Sequence, residues 1–134
     1  MAFTEVDYLI LVTLFSATMW IPYIINRILE MGLWKALKQP QAEEPPKALW
    51  AKRAVRAHMN AIENLVIFAP LVLAIAHLGL QSEATTALCF YFFVLRVAHY
   101  FSYLFAIPLA RTLLFVLGWM IQINLGWIVL GAAG

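Results

Sequence analysis

The chain has 134 residues, of which 64% are hydrophobic and only 12% are charged, whereas an ordinary soluble domain is roughly 45–50% apolar and about 25% charged. A soluble domain of this length can bury only about 70% of its surface, so the excess of large apolar side chains must face lipid. The formal net charge of +2 is too small to indicate a nucleic-acid partner, and we expect none.

The first predicted membrane span covers residues 7–29. Its central stretch, Tyr8 to Asn26, is uncharged and long enough to cross a bilayer core, which takes about 20 apolar helical residues. Pro22 is expected to kink or loosen this helix, because proline lacks the backbone N–H that a helix needs at this position. No basic residue precedes the stretch, so a cleaved signal peptide is not expected.

The second predicted span, residues 50–80, follows a charged and proline-containing connection that we expect to lie in water. Because no glycine or proline interrupts residues 47–63, the helix is expected to begin below the membrane, before its uncharged part. Pro70 marks a possible kink in it.

The third predicted span covers residues 83–106 and the fourth covers residues 111–133. Ser82 suits the N-cap of the third helix and Glu83 its first turn, while Pro108 marks the turn that ends it. The four spans together predict an all-α fold, an integral membrane four-helix bundle that forms a single domain.

Basic residues are distributed unevenly between the predicted loops. Seven of the nine lie in the first connection, Arg111 lies in the third, and the second has none. Cytoplasmic loops carry the excess of Lys and Arg, so we expect the first and third loops in the cytoplasm and both termini on the opposite side. In a bacterial host this would be the inner, or plasma, membrane.

The second helix carries four polar residues at spacings of three, four and three, which places them on one helix face: Arg53, Arg56, Asn60 and Glu63. An ionisable residue inside a span costs about 2.5–3.5 kcal/mol on insertion scales and is therefore a candidate for function. The two arginines alone could anchor the helix at the membrane border. The deeper Glu63 indicates instead either a structural pair with Arg56 or a ligand site.

The third helix has a similar polar face, with Arg96, His99 and Tyr103 at spacings of three and four. Arg96 could contact a ligand or form a salt bridge with Glu63 across the bundle. His99 and Tyr103 are as compatible with a core role as with a site, and Arg111 follows about two turns later.

Other small or polar residues within the spans fit packing roles. His58 lies off the polar stripe and suits a helix contact. Gln122 and Asn124 are expected to form interhelical hydrogen bonds, and Gly118 and Gly126 are expected to let helix backbones approach each other.

The residue types on the two polar faces suit a small peptide-like anion. Arginine binds carboxylates, glutamate pairs with an ammonium group, and asparagine offers a donor and an acceptor to an amide. Glutathione carries two carboxylates, one ammonium group, two amide links and a thiol, so its groups match this inventory.

Two sequence strings resemble the MAPEG family, the membrane-associated proteins in eicosanoid and glutathione metabolism. They are Arg53-x-x-Arg56-Ala57-His58-x-Asn60-x-x-Glu63-Asn64 and Arg96-Val97-Ala98-His99-x-x-x-Tyr103-Leu104, followed by Arg111. The resemblance extends over nearly the whole chain, because length, four spans and the basic first connection also agree. It implies a homotrimer that binds glutathione at each subunit interface, near the cytoplasmic side.

The resemblance also implies roles for individual residues. Arg111 is expected to activate the thiol, with Tyr103 or Ser102 as a hydrogen-bond donor. No metal ligand is expected. The residues expected at the glutathione site, from the resemblance and the two polar faces together, are Arg27, Arg53, Arg56, Asn60, Glu63, Arg96, His99 and Tyr103.

The expected function is that of a membrane-bound glutathione transferase or peroxidase, whose thiolate attacks hydrophobic electrophiles that arrive through the lipid. The alternative is a non-catalytic lipid-binding or scaffold protein of the same fold, which would be expected to lose parts of the Arg-Asn-Glu string. A small multidrug transporter ranks last, because its membrane acid would lie in the first helix, where Tyr8 to Asn26 is uncharged.

Overall fold

The computed structural model describes residues 3–38 and 45–132. These residues form six helices and no strand: α1 (Glu5–Thr18), α2 (Trp20–Met31), α3 (Leu33–Lys38), α4 (Leu49–His77), α5 (Glu83–Leu104) and α6 (Ala110–Gly131). Four helical segments are long and apolar enough to cross a membrane, namely α1 with α2, α4, α5 and α6. The predicted all-α, four-span architecture is therefore confirmed. Residues 39–44 of the first connection and residue 133 of the last predicted span lie outside the described residues.

The bundle is built around α4 and α5, which pack against each other and against both α1 and α6. Phe68 of α4 and Phe92 of α5 are fully buried and stack with their ring centroids 3.9 Å apart. Cys89 lies one turn from Phe92 and is also fully buried. This central contact holds the two helices that carry the polar stripes.

The first span is interrupted at Met19, three residues before Pro22. Pro22 cannot donate to the carbonyl of Thr18, so the regular hydrogen-bond ladder loses one bond at this point. The Met19 N–H donates to the carbonyl of Ser16 at 3.2 Å. This bond spans three residues, as in a 3₁₀ turn, whereas the bonds of an α-helix span four. The loosening predicted from Pro22 is therefore present, one turn N-terminal to the proline itself.

Helix α4 begins at Leu49 and continues through Pro70 without a break, to His77. Its N-terminal end is held by Glu30 of α2, whose carboxylate accepts from the backbone N–H groups of Lys47 and Ala48 at 3.0–3.1 Å. Ala48 offers no side-chain cap of its own. A carboxylate at a helix N-terminus also interacts favourably with the helix dipole, so Glu30 fixes where α4 starts.

Helix α5 begins with the predicted cap, since Ser82 Oγ accepts from the Thr85 N–H at 3.1 Å. The same end of the helix contacts Glu5, an acidic residue that precedes the uncharged stretch of the first span. Glu5 is only 2% exposed, and its Oε1 accepts from Thr85 Oγ1, from Thr86 Oγ1 at 2.9 Å and from the Ser82 N–H at 3.3 Å. Glu5 thus joins the start of α1 to the start of α5.

The turn between α5 and α6 adopts an unusual backbone conformation. Ala106 has φ 55° and Leu109 has φ 64°, on either side of Pro108. Non-glycine residues visit this left-handed region infrequently, because the β-carbon crowds the backbone there. The compact turn puts Arg111 in the first turn of α6, next to the end of α5.

Candidate functional site

His99, Tyr103 and Arg111 lie together where α5 passes into α6. The ring centroids of His99 and Tyr103 are 5.8 Å apart in an edge-to-face arrangement. The guanidinium carbon of Arg111 lies 4.9 Å from the centroid of the Tyr103 ring, within the range of a cation–π interaction. Arg111 is exposed and Tyr103 only partly buried, so a cationic group sits on an aromatic platform at an open position.

Arg96 is almost completely buried, with 3% of its surface exposed, and faces α6. Its Nη2 donates to the carbonyl of Leu114 at 3.1 Å, and its guanidinium carbon lies 5.4 Å from the centroid of the Phe92 ring. Its Nε and Nη1 have no hydrogen-bond partner within the described part of the chain. The salt bridge to Glu63, proposed as one option from the sequence, is therefore wrong: Arg96 turns toward a backbone carbonyl of α6.

Gly118 gives the Arg96 guanidinium its space. A β-carbon at position 118 would lie 2.5 Å from Arg96 Nη2, closer than side chains can pack. The sequence suggested that Gly118 lets two helix backbones approach; the structure shows that it admits a side chain instead. Gly126, by contrast, would place a β-carbon 3.8 Å from Leu71, an ordinary contact.

The polar stripe of α4 lies partly against its neighbours and partly on an open face. Arg53 Nε donates to the carbonyl of Leu104 at 3.0 Å, which ties the stripe to the end of α5, beside Tyr103. Asn60 is half-buried, and its backbone and side-chain oxygens both accept from Asn64 Nδ2. The Arg53 end of the stripe therefore lies at the same end of the bundle as His99, Tyr103 and Arg111, which are called the Tyr103 group below.

Arg56 and Glu63 are exposed on a single chain. No contact among the described residues joins either of them to Arg96 or to the Tyr103 group. Both side chains thus face outward from a helix that is long and apolar enough to span a membrane, where an uncovered charge is unfavourable. This face of α4 is the part of the predicted site that one chain leaves incomplete.

Arg27 is half-buried in α2 and lines a cavity of about 270 Å³ with Glu30, Lys35 and Lys47. The residues lining this cavity do not include any other member of the predicted site. Within the single chain, Arg27 is therefore placed apart from the Tyr103 group.

Two packing predictions from the sequence are confirmed. Gln122 Nε2 donates to the carbonyl of Asn64 at 2.9 Å, a buried hydrogen bond between α6 and α4. His58 Nδ1 lies 2.9 Å from the Tyr23 hydroxyl and so joins α4 to α2. The prediction of an interhelical hydrogen bond is wrong for Asn124 within the single chain: it is exposed on α6 and has no hydrogen bond to another helix among the described residues, because its side chain lies on the outer surface of the bundle.

Two apolar grooves flank α6 on its outer surface. One, of about 440 Å³, runs between α5 and α6 past Leu95 and Leu117. The other, of about 460 Å³, runs between α4 and α6 and includes Ile67, one helical turn from Glu63. Their walls are mainly hydrocarbon, which suits apolar molecules dissolved in the bilayer.

Comparison with known proteins identifies one family. The MAPEG family model matches residues 8–131, nearly the whole chain and all four candidate spans. No curated protein and no solved structure gives a match.

Proposed function

Because this chain belongs to the MAPEG family, a membrane family that includes glutathione transferases, we propose that it is a membrane-bound glutathione transferase or peroxidase acting on hydrophobic electrophiles. The observation that carries the proposal is the arrangement of Arg111 over the ring of Tyr103, 4.9 Å from its centroid, beside His99. A cation held in this open position, at the same end of the bundle as the α4 stripe, suits a ligand that brings both carboxylates and a thiol.

The α4 stripe supplies the groups that hold glutathione in this proposal. Arg56 pairs with a carboxylate through its planar guanidinium, Glu63 accepts from the α-ammonium group, and Asn60 bonds an amide link. The exposure of Arg56 and Glu63 supports this assignment, because no hydrogen bond or ion pair joins either of them to another residue in the described ranges 3–38 and 45–132. Arg53 contributes by holding the stripe to the end of α5.

Arg111 lowers the free energy of the thiolate form of the bound thiol. A free thiol has a pKa of about 8.5 and is mostly protonated at neutral pH, and an adjacent guanidinium lowers that pKa and raises the reactive fraction. The thiolate sulfur then bonds to the electrophilic carbon, while the leaving group departs with its electron pair. With a hydroperoxide, the thiolate sulfur attacks one oxygen, the O–O bond breaks and the alkoxide leaves with the electron pair and takes up a proton. The resulting glutathione sulfenic acid reacts with a second glutathione to give the disulfide and water.

Arg96 supplies a second positive group in the interior, and its Nε and Nη1 have no hydrogen-bond acceptor among the residues that the structure describes. A buried guanidinium in this state attracts an anion or water. The proposal places it behind the thiol, where it raises the positive potential of the pocket. His99, three residues away on the same helix face, separates it from Tyr103.

A homotrimer is part of the proposal, because a single chain leaves Arg56 and Glu63 on an open face. Each charged side chain turned toward hydrocarbon costs about 2.5–3.5 kcal/mol, and a second copy packed on this face would remove both from lipid. The glutathione site then lies between copies. The apolar grooves beside α6 give the electrophile a route from the bilayer.

The direct test is calorimetric titration of glutathione into the purified protein in detergent, repeated with Glu63→Gln and with Glu83→Gln. Glu83 is an exposed acid at the other end of the bundle, so its variant controls for the loss of one negative charge. We expect saturable binding by the parent and by Glu83→Gln, and a loss of at least about tenfold in affinity for Glu63→Gln, the equivalent of about 1.4 kcal/mol.

Activity assays separate the proposed enzyme from the non-catalytic alternative. Conjugation of glutathione to a hydrophobic aryl halide, or reduction of a lipid hydroperoxide, by the parent protein supports an enzyme. Tight binding of glutathione without turnover on either substrate class would favour a binding protein of the same fold. No binding at all would contradict glutathione as the ligand.

A further inference from the structure

Asn64 lies one helical turn beyond Asn60 on α4 and makes two separate kinds of hydrogen bond. It is only 5% exposed, whereas Asn60 is half-buried. Its backbone carbonyl accepts from Gln122 Nε2 of α6 at 2.9 Å. Its side chain turns back along α4 and donates to Asn60. The contact with α6 therefore belongs to the backbone of Asn64, and the contact with the polar stripe belongs to its side chain.

A backbone carbonyl decides the orientation of the Asn64 amide. Asn64 Nδ2 lies 2.8 Å from the backbone oxygen of Asn60. A carbonyl oxygen can only accept a hydrogen bond, so the NH₂ group of Asn64 faces it and the Asn64 side-chain oxygen does not. The same NH₂ group lies 3.3 Å from the side-chain oxygen of Asn60. Its two hydrogens thus serve two oxygens of one residue.

The orientation of Asn64 in turn decides the orientation of the Asn60 amide. Because Asn64 Nδ2 offers only hydrogens, the Asn60 atom that faces it is the oxygen, Oδ1. Asn60 Nδ2 is bonded to the same carbon and points away from Asn64. Within residues 3–38 and 45–132 this NH₂ group donates to no acceptor. Asn60 therefore presents hydrogens, and no oxygen, to the open face of α4.

Donors and acceptors are consequently separated along the polar stripe. Arg56 lies four residues before Asn60 and carries only N–H groups, so the two residues together form a donor segment. Glu63 lies three residues after Asn60 and supplies the acceptor of this face. A ligand that satisfies the stripe directs its oxygens at Arg56 and Asn60 and its ammonium group at Glu63.

We propose that Asn64 is a positioning residue that makes Asn60 a hydrogen-bond donor to the ligand. The inference rests on the proposed function, because it specifies which atom of glutathione Asn60 binds: the carbonyl oxygen of an amide link, and not an amide N–H. An amide held in place before binding loses less conformational freedom than a rotating one. A ligand with only a donor at this point binds weakly, because its hydrogens would face those of Asn60.

The orientation of the two amides can be tested without a ligand. The sequence has four asparagines, Asn26, Asn60, Asn64 and Asn124, so labelling asparagine with nitrogen-15 gives four side-chain NH₂ signals, which single substitutions assign. We expect the Asn64 hydrogens to exchange with water at least about fivefold more slowly than those of Asn60, the equivalent of about 1 kcal/mol for a hydrogen bond. Equal exchange would overturn the proposal, because an Asn60 NH₂ group turned toward Asn64 would also be protected.

A double-mutant cycle with glutathione tests whether Asn64 acts through Asn60. Asn64→Leu removes the NH₂ group at similar volume and keeps the backbone carbonyl that Gln122 binds. We expect it to weaken glutathione binding about threefold to tenfold, and to cause no further loss when Asn60→Ala is already present. Gln122→Leu is the matched control, since it removes a hydrogen bond from the same turn but leaves both asparagine amides. Additive losses, or an equal loss for Gln122→Leu, would overturn the proposal.

Two kinds of glutathione analogue identify the atom that Asn60 binds. Sulfur in place of an amide carbonyl oxygen weakens the acceptor and makes the adjacent N–H a stronger donor, whereas an ester oxygen in place of the N–H removes that donor and keeps the carbonyl. At one of the two links, we expect the sulfur analogue to bind the parent about threefold to tenfold more weakly than glutathione, and Asn60→Ala to abolish this difference. The ester analogue at that link should bind the parent more tightly than the sulfur analogue.

The opposite ranking at both links would show that Asn60 accepts from the ligand, and would overturn the proposal. The proposed function can fail separately. If the parent binds no glutathione while Asn60 and Asn64 still differ in hydrogen exchange, glutathione is the wrong ligand and the donor orientation of Asn60 stands.

Discussion

The guanidinium of Arg96 fills the space that Gly118 leaves by having no side chain. A β-carbon at position 118 would lie 2.5 Å from Nη2 and 3.1 Å from Cζ of Arg96. Arg96 on α5 is thereby buried against α6. Its Nη2 donates to the Leu114 carbonyl, while its Nε and Nη1 find no acceptor in the described part of the chain. A single missing methyl group thus decides where a buried positive charge of this protein lies.

Gly118→Ala is expected to displace Arg96 and to weaken both stability and glutathione binding. Arg96 is 3% exposed and has little room to move, so overpacking of this kind should cost about 1–3 kcal/mol. Thermal unfolding in detergent and calorimetric titration measure the two effects. Gly126→Ala is the matched control, because its added methyl group meets only Leu71, at 3.8 Å; equal effects of the two substitutions would contradict the role given to Gly118.

Arg111→Ala is expected to abolish the ultraviolet thiolate band that appears when glutathione is added to the purified protein. Each pKa unit by which Arg111 lowers the pKa of the thiol corresponds to about 1.4 kcal/mol, so its loss should lower the thiolate fraction about tenfold per unit. Arg111→Lys should retain part of the band. An unchanged band in Arg111→Ala would remove Arg111 from the mechanism.

Tyr103→Phe and Tyr103→Leu together test how Tyr103 acts. The Arg111 guanidinium carbon lies over the ring of Tyr103, so a phenylalanine ring should still position Arg111, whereas leucine should not. If the ring alone matters, Tyr103→Phe keeps the thiolate band and Tyr103→Leu loses it. Loss of the band in both variants would instead indicate that the hydroxyl donates a hydrogen bond to the thiolate.

Glu5→Ala is expected to lower the free energy of unfolding by about 1–3 kcal/mol, because three donors at the start of α5 would lose their acceptor. Glu83→Ala serves as the control: Glu83 lies in the first turn of the same helix but is exposed, and such a charge contributes only about 0.3–1 kcal/mol. Thermal unfolding in detergent compares the two. A larger effect for Glu83→Ala would show that Glu5 does not hold α1 to α5.

Gln122→Leu is expected to destabilise the protein by about 0.6 kcal/mol, the mean for hydrogen bonds between membrane helices. Gln122 Nε2 donates to the buried carbonyl of Asn64, whereas Asn124 is exposed on the same helix. Asn124→Leu should therefore leave the midpoint of thermal unfolding unchanged. If both substitutions shift the midpoint equally, the α4–α6 hydrogen bond is not the cause.

Local features of the chain could be predicted because they depend on neighbours in sequence. The cap at Ser82 involves residues three positions apart, and the polar faces of α4 and α5 follow from 3.6 residues per turn. The disturbance of the first span was predicted from Pro22, but its position at Met19 was not. A missing backbone N–H frees a carbonyl four residues earlier, and the local packing decides which residue then leaves the helix.

The burial of Glu5 was beyond any sequence pattern. An acidic residue before a hydrophobic stretch gives no local sign that it is buried. The partners of Glu5, Thr85 and Thr86, are about 80 residues away along the chain. The same holds for Arg96: its position on a helix face was clear, but its turn toward Leu114 rather than Glu63 depends on how α5 and α6 meet. Arg27 was likewise predicted at the glutathione site with the other arginines, but it lines a cavity with Lys35 that includes no other predicted site residue.

The sequence alone determined the solvent, the four spans and the residue types that a site could use, because hydropathy and helical spacing act over short distances. Only the tertiary structure decided which of those residues meet. In the folded chain, His99, Tyr103 and Arg111 lie together near the turn between α5 and α6. Arg96 fits against α6 because Gly118 has no side chain, and Arg56 and Glu63 lie on an open face. These contacts depend on side-chain volume and on hydrogen bonds between helices that are far apart in the chain, and neither can be predicted from a local sequence pattern.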